Sequence, residues 1–440
     1  MSNRCQLNPD IIVIGAGIAG LSAASELARN KLSVLVVDQA VQKGGNFHRQ
    51  STTGHSIPKL KQHQQQWSRI LGRIEQFQSN ITVQCQSRFI GVDYKGVVMI
   101  EQMAPNRSAL YKPKALVIAT GASEQVWPRN GWQSAGVTTV GAIQSELKMT
   151  GQVSADKIIL AGSGPLLLAA GAQLIRSGTP PVAIIESSFP FRHVSKSLSL
   201  PFRYLLEGGS YLFDIIRSAV PFYSGASIQN IHRHNDNNKL NVTVQTKSGS
   251  IRSFETEQLG LHDGLKSNDY GVIDNPGILI RKAGDSRQIM GAIASEFDGL
   301  NAGSEIAEKL KKSTINKSFK NQLDKYQKAY RSIEQIYNSA NQDIDFSLDD
   351  ETIICRCEHR TLKDLKSLNK PTLREVRLLG RFSMGSCQGR FCANWVEKYL
   401  NSETDSNKKE NESLQGNRWP VRPVSLSSII ETDDFTNHKN

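Results

Sequence analysis

Four consecutive apolar residues, Ile11 to Ile14, form the first clear apolar run and stop at Gly15. A short run of this kind, bounded by glycine, predicts a buried strand. Gly15 to Gly20 then predicts a tight turn, Leu21 to Ala28 a helix of small residues, and Ser33 to Val37 a second buried strand ending on Asp38. Together they form a βαβ unit. The same pattern returns from Lys157, with a strand over Ile158 to Ala161, a turn over Gly162 to Pro165, a helix to about Ser177, and a strand over Val182 to Ile185 ending on Glu186. Gly15 and Gly162 are 147 residues apart, which predicts an internal duplication with the second unit inserted in the first.

Strand-like runs at Ile81 to Gln84, Val97 to Glu101 and Ala115 to Gly121 lie between the two units, and the chain returns through Ile278 to Ile280 to Ala283-Gly284-Asp285. From Phe319 to Tyr337 apolar residues recur every three or four positions, the pattern of an amphipathic helix that packs on the body or docks a partner. The expected organisation is α/β. Residues 1–150 form the first part of one Rossmann-like domain, 151–268 a second, and 269–315 the return segment of the first. A helical connector at 316–350, a small cysteine module at 351–400 and a linker and tail at 401–440 complete it.

Composition narrows the function classes. The net charge of +12 could serve an anionic partner, but the basic residues are scattered among acids with no aromatic-basic array, which argues against nucleic acid. Ile158 to Ile175 is free of charge and long enough to suggest a membrane span, yet its glycines and Pro165 fit a strand turning into a helix. Met1 to Asp10 is short and polar and shows no targeting segment, so the expected location is cytoplasmic. Four of the six cysteines crowd into the segment from Cys355 to Cys392, which in that compartment favours metal over disulfide.

In the run Gly15, Ala16, Gly17, Ile18, Ala19, Gly20, the first glycine permits the turn, the second admits a pyrophosphate, and the third lets helix approach strand. The helix N-terminus adds amide donors, and Asp38 stands where a carboxylate accepts from ribose hydroxyls. Gly44, Gly45 and Gly121 belong to the same expected site. FAD is favoured over NAD because the chain revisits this site. Gly284 and Asp285, followed by a helix opening at Gly291, would place a carboxylate at the ribityl or pyrophosphate end and a helix dipole toward the flavin ring, where negative charge grows on reduction.

The second turn keeps Gly162 and Gly164 but carries Leu167 at the third glycine position, and Glu186 would favour an unphosphorylated ribose. Three readings stay open: an NAD(H) site, a site for another adenine nucleotide or a vestige of one, and pure architecture. Arg192, His193 and Lys196, which follow Glu186, read as a solvated basic face rather than a phosphate clamp.

Cys355 and Cys357, then Cys387 and Cys392, give four thiolates in CxC and CxxxxC pairs, suited to an iron–sulfur cluster or to zinc. Two capped helices, starting at Thr361 and Thr372, are expected between the pairs. Zinc ribbons favour CxxC spacing, and Gly385 and Gly389 free backbone amides to donate to sulfides, so a two-iron two-sulfur (2Fe-2S) cluster is the expected occupant.

Taken together, "GAGIAGLSAA", "GGNFHR", "IATGA", "GSGPLLL", "AGD", "IICRCEHRTLKDL", "GSCQGRFC" and "RWPVRPVSL" resemble the alpha-type subunits of heteromeric opine oxidases and the related proline and hydroxyproline dehydrogenases. The hydrogen cyanide synthase flavoprotein subunit is similar too, and the cysteine module resembles bacterioferritin-associated-ferredoxin-like (BFD-like) 2Fe-2S domains. The resemblance implies a hetero-oligomer with an amino-acid-oxidase-type flavoprotein subunit that oxidises a small-molecule amine, this chain relaying the electrons. It also implies that Gly15, Gly17, Gly20, Asp38, Gly45 and Asp285 bind FAD and that the four cysteines hold the cluster. The rival readings are a stand-alone NADH-dependent reductase and a non-catalytic subunit that serves as a scaffold. No side chain stands out as an acid-base catalyst. One departure concerns length, since Asp285 follows Asn268 by 17 residues, whereas two-nucleotide flavoproteins spend roughly twice that, a deficit of one or two strands.

Overall fold

The structure, a computed structural model, describes residues 8–55, 57–104, 106–234, 239–272, 275, 277–311, 314, 316–337, 346–403, 413–415 and 419–434. Most of the polar N-terminus, with Cys5, and most of the expected linker lie outside these residues.

Two five-stranded parallel sheets make the body. In the first, β18 (Leu279–Lys282), β7 (Ala115–Ile118), β1 (Ile11–Ile14), β2 (Val34–Val37) and β3 (Ile81–Gln84) lie side by side in that order. In the second the order is β12 (Phe222–Ser224), β11 (Ala183–Glu186), β10 (Ile158–Gly162), β16 (Gln258–His262) and β9 (Val137–Thr139). Central strands of such sheets are covered on both faces, which is why they read as unbroken apolar runs. The duplication is therefore strand for strand: β1 and β2 correspond to β10 and β11, and β7 to β16.

Helix packing explains the small residues of the first unit. The helix α1 (Ile18–Arg29) lies against α6 (Gly291–Lys311), and a Cβ on Gly299 would stand 2.1 Å from the Ala19 carbonyl oxygen. α1 also meets α2 (Lys61–Gln76), whose Arg69 and Arg73 pair with the buried Glu296 of α6 at 2.7 and 2.6 Å. Around the second sheet stand α3 (Val140–Thr150), α4 (Pro165–Arg176) and α5 (Phe202–Arg217). The apolar stripe forecast for 319–337 forms α7 (Lys317–Tyr337), which packs on α6 and on the 3-10 segment Pro190–Ser199, so the expectation that it covers the body holds.

Two expectations change. The second domain starts before residue 151: β9 and α3, assigned to the first domain from sequence, pair and pack with the second. A strand of three residues carries too little apolar pattern to announce itself. The short stretch before Asp285 costs neither parallel sheet a strand: each has five, β18 among them, and β17 (Leu265–Ser267) pairs antiparallel with β8 (Ala122–Glu124).

Smaller sheets, antiparallel except for one parallel pairing, complete the described structure. A sheet of β4 (Ser87–Val92), β5 (Val98–Gln102) and β6 (Arg107–Tyr111) is extended by β21 (Thr432–Asp434), which pairs parallel with β6 and follows the short helix α11 (Leu426–Ile430) in the tail. A second one joins β13 (Ser227–Arg233), β14 (Leu240–Gln245) and β15 (Ile251–Thr256). The cysteine module holds β19 (Ile353–Cys355), β20 (Arg360–Thr361), α8 (Leu362–Lys366), α9 (Leu373–Leu378) and α10 (Ala393–Glu403) around Trp395 and Phe382. Both expected capping boxes are present, Thr361 with Asp364 and Thr372 with Glu375.

Candidate functional site

The first glycine turn joins β1 to α1. Gly15 sits at φ +108°, and a Cβ there would meet the Ala119 carbonyl oxygen at 2.3 Å, so the end of β7 and the turn require a glycine. Gly20 likewise lets α1 close on the turn, its Cβ position 1.8 Å from the Gly15 oxygen. Ile18 and Ala19 begin α1, whose first amides lack intrahelical acceptors. The Asp38 carboxylate accepts from Ala16 N–H at 2.6 Å through Oδ2 and from Ala40 N–H at 2.8 Å through Oδ1, and the residue stays half-buried.

The other expected residues of this site gather on the same turn. Gly44 N–H donates to the Ala16 carbonyl at 2.8 Å, and Gly45 packs on Gly17. Gly121 closes the strand-end run after β7 with open space beside it. Gly284 abuts Ala19, and Asp285 Oδ1 accepts from Met290 N–H at 2.9 Å and Ser295 Oγ at 3.2 Å. Burial pushes the Asp285 carboxyl above its ordinary value despite those bonds. His48 of the same loop is buried, stacked on Trp67 and bonded to Gln66; its burial holds it down to about 4.

The second turn, between β10 and α4, is built on the same plan with different polar partners. Gly162, at φ +135°, abuts the His262 carbonyl oxygen, and Leu167 is fully buried where the first unit has Gly20. Glu186 exposes none of its surface: its oxygens accept from Gly164 N–H at 3.0 Å and Ser188 N–H at 2.9 Å, and burial raises its titration. Both oxygens of Glu186 are thus bonded within its own turn, as those of Asp38 are at the first, but with no exposed surface. Arg192 is exposed and stacks over Phe189, in keeping with a solvated face.

The four cysteines come together as two neighbouring pairs, Cys355 facing Cys392 and Cys357 facing Cys387. Among the described residues no group of three or more His, Cys, Asp or Glu side chains is arranged to hold a metal ion. Several donors nonetheless aim at the sulfurs. The Cys392 thiol and backbone N–H groups of Glu358, Ser383 and Cys357 hold Cys355 down to about 6, amides of Phe391 and Gly389 reach Cys387, and Ser383 Oγ lies 3.4 Å from the Cys392 sulfur. The module docks on the crossover between the two nucleotide units. Arg390 donates to Asn268 at 3.3 Å and lies over Tyr270, Trp132 Nε1 donates to the Ile353 carbonyl at 2.7 Å, and the half-buried Lys266 senses both Cys387 and Cys392.

A model of the family described as "Pyridine nucleotide-disulphide oxidoreductase" matches residues 9–286. The chain belongs to that family. It is a FAD-dependent oxidoreductase. This family member is 28% identical to the A-type subunit of opine oxidase from Agrobacterium tumefaciens, across 96% of this chain and 91% of the relative. It is 24% identical to the HcnB subunit of hydrogen cyanide synthase from Pseudomonas aeruginosa, across 95% and 97%. Among solved structures, L-proline dehydrogenase from P. horikoshii superposes with a TM-score of 0.62 at 16% identity, covering 96% of this chain and 79% of that one, which shows a shared fold. None of the described helices is long and apolar enough to cross a membrane.

Sequence reasoning passed over Glu124 and His262, which the fold brings to the second turn from 138 residues apart. The one available signal was a histidine at a strand end, where the first unit has Ala119.

Proposed function

We propose that this chain is the electron-transfer, alpha-type subunit of a heteromeric amine or amino-acid dehydrogenase or oxidase, of the opine, proline or hydroxyproline type. The observation that carries the reading is the likeness to relatives named as subunits, which runs through the cysteine module and covers nearly the full length of both chains. In this reading Gly15, Gly17, Ile18, Ala19, Gly20, Asp38, Gly44, Gly45, Gly121, Gly284 and Asp285 bind FAD, and Cys355, Cys357, Cys387 and Cys392 hold a 2Fe-2S cluster in a BFD-like module. The second turn, with Gly162, Gly164 and Glu186, takes NAD(H) or another adenine nucleotide. When bound, FAD supplies the conversion between the two-electron oxidation of an amine and one-electron transfer to a cluster.

The residues of the chain do the holding and orienting. The half-buried Asp38 carboxylate stands beside the first turn, and the first amides of α1, which lack intrahelical acceptors, would serve a diphosphate there. The N-terminus of α6 follows Asp285 by a few residues and presents its positive end to the same region. Backbone amides at Cys355 and Cys387 fit sulfurs that carry negative charge, as thiolates ligating iron do.

Metal and sulfide analysis, done together with co-purification, tests this reading. Iron and acid-labile sulfide in equal amounts, in a complex with an amino-acid-oxidase-type flavoprotein, are expected. Zinc without iron would overturn the cluster, and a chain that purifies without a partner and turns over an amine unaided would overturn the subunit role.

A further inference from the structure

At the second glycine turn, a residue that no ribose or ring contact requires is placed with care. His262 ends β16, in the position that Ala119 holds after β7 in the first unit: the Gly162 Cβ position meets the His262 carbonyl just as that of Gly15 meets Ala119. Where the first unit has a methyl group, the second has an imidazole, 2% exposed. Its Nδ1 lies 2.8 Å from Glu124 Oε1, and Glu124 Oε2 accepts from Gly141 N–H at 2.9 Å, in the first turn of α3. Gly141 has room for that carboxylate only because it lacks a side chain, since a Cβ would come within 2.5 Å of Oε2. The other ring nitrogen, Nε2, has no hydrogen-bond partner among the described residues and stands 3.5 Å from where a Cβ of Gly164 would be, over the N-cap of α4.

The donors of the turn explain why an imidazole belongs there. At the first turn Ala16 supplies the amide that binds the acid, which leaves Gly17 and the start of α1 free for phosphate oxygens. At the second, Gly164 N–H is taken by Glu186, and Pro165 has no N–H to give. Two donors that face a diphosphate at the first turn are thus lost at the second. We infer that His262, oriented by Glu124, replaces them as a phosphate donor for the diphosphate of an adenine nucleotide bound at this turn. This rests on the nucleotide reading of the second turn given above. With its Nδ1–H donated to the Glu124 carboxylate, the ring can carry a second proton at Nε2, and Nε2–H then makes a charge-assisted bond to a phosphate oxygen.

Calorimetric titration of the full chain with ADP, adenosine and NADH tests the inference, using wild type, His262→Ala and Glu124→Gln. Unchanged flavin content and thermal midpoint serve as the folding check. A charge-assisted bond lost on truncation should weaken ADP about tenfold or more while adenosine, which has no phosphate, is unaffected. Glu124→Gln leaves the ring in place without its compensating charge and should weaken ADP selectively by a smaller factor; it also carries the test should His262→Ala fail to fold. Equal or tighter ADP binding by His262→Ala would overturn the inference and leave the nucleotide reading standing, as would equal losses for ADP and adenosine. A wild-type chain that binds none of the three ligands would overturn the nucleotide reading itself, and the inference with it.

Discussion

Asp38 Oδ2 accepts the main-chain N–H of Ala16 at 2.6 Å, which ties the end of β2 to the glycine turn after β1. The carboxylate also accepts Ala40 N–H through Oδ1, and being half-buried it keeps some surface for a ligand. Asp38→Ala removes both roles, and FAD should bind about tenfold more weakly or worse. Flavin-to-protein ratio after dialysis measures this, and Asp38→Glu should retain most of the flavin.

The contact of α1 with α6 depends on having no side chain at Gly299, whose Cβ position lies 2.1 Å from a backbone oxygen that cannot move aside without the helix. Gly299→Val should therefore destabilise the fold by about 1–3 kcal/mol or more, the range for overpacking. A lowered thermal midpoint with reduced flavin retention is expected; an unchanged midpoint would mean the two helices do not meet at this depth.

How much of this was legible beforehand follows from the length of the patterns. Ile11 to Asp38 and Ile158 to Glu186 are local, contiguous and glycine-marked, so both βαβ units could be read from the chain, as could the capping boxes at Thr361 and Thr372. β9 could not, because three residues carry no period, and neither could the pairing of β21 with β6, which joins residues more than 300 positions apart. At the site, the commitment of Glu186 to Gly164 and Ser188 could not be read either. Its spacing from Gly162 matches that of a ribose acceptor, and only the buried geometry shows where the carboxylate goes.

His48 makes the first nucleotide loop acid-sensitive. Burial lowers it from 6.5 to about 4, so between those values the unfolded chain binds a proton that the folded chain does not. The stability it supports is fully present above 6.5 and falls as pH drops toward 4, by up to about 1.4 kcal/mol for each pH unit inside that window. Thermal midpoints recorded from pH 7 to 4.5 should fall less steeply for His48→Phe, which keeps a ring against Trp67. A parallel decline in both proteins would place the acid sensitivity elsewhere.

Replacing one ligand separates the cysteine module from the flavin. Cys357→Ser should lower iron and acid-labile sulfide content sharply while flavin content stays near wild type, because the module has its own core around Trp395 and Phe382. Cys85→Ser, which changes the free cysteine next to β3, should alter neither. Retention of full iron in Cys357→Ser would remove that residue from the ligand set.

The most direct test of the electron-transfer role is anaerobic bleaching of the bound flavin, followed by absorbance, with two reductants offered in turn. Rapid bleaching by an amine or amino acid only when the partner flavoprotein is present, with little response to NADH, is the expected result. Fast bleaching of the isolated chain by NADH alone would contradict the subunit role and mark the protein as a stand-alone NADH-dependent reductase.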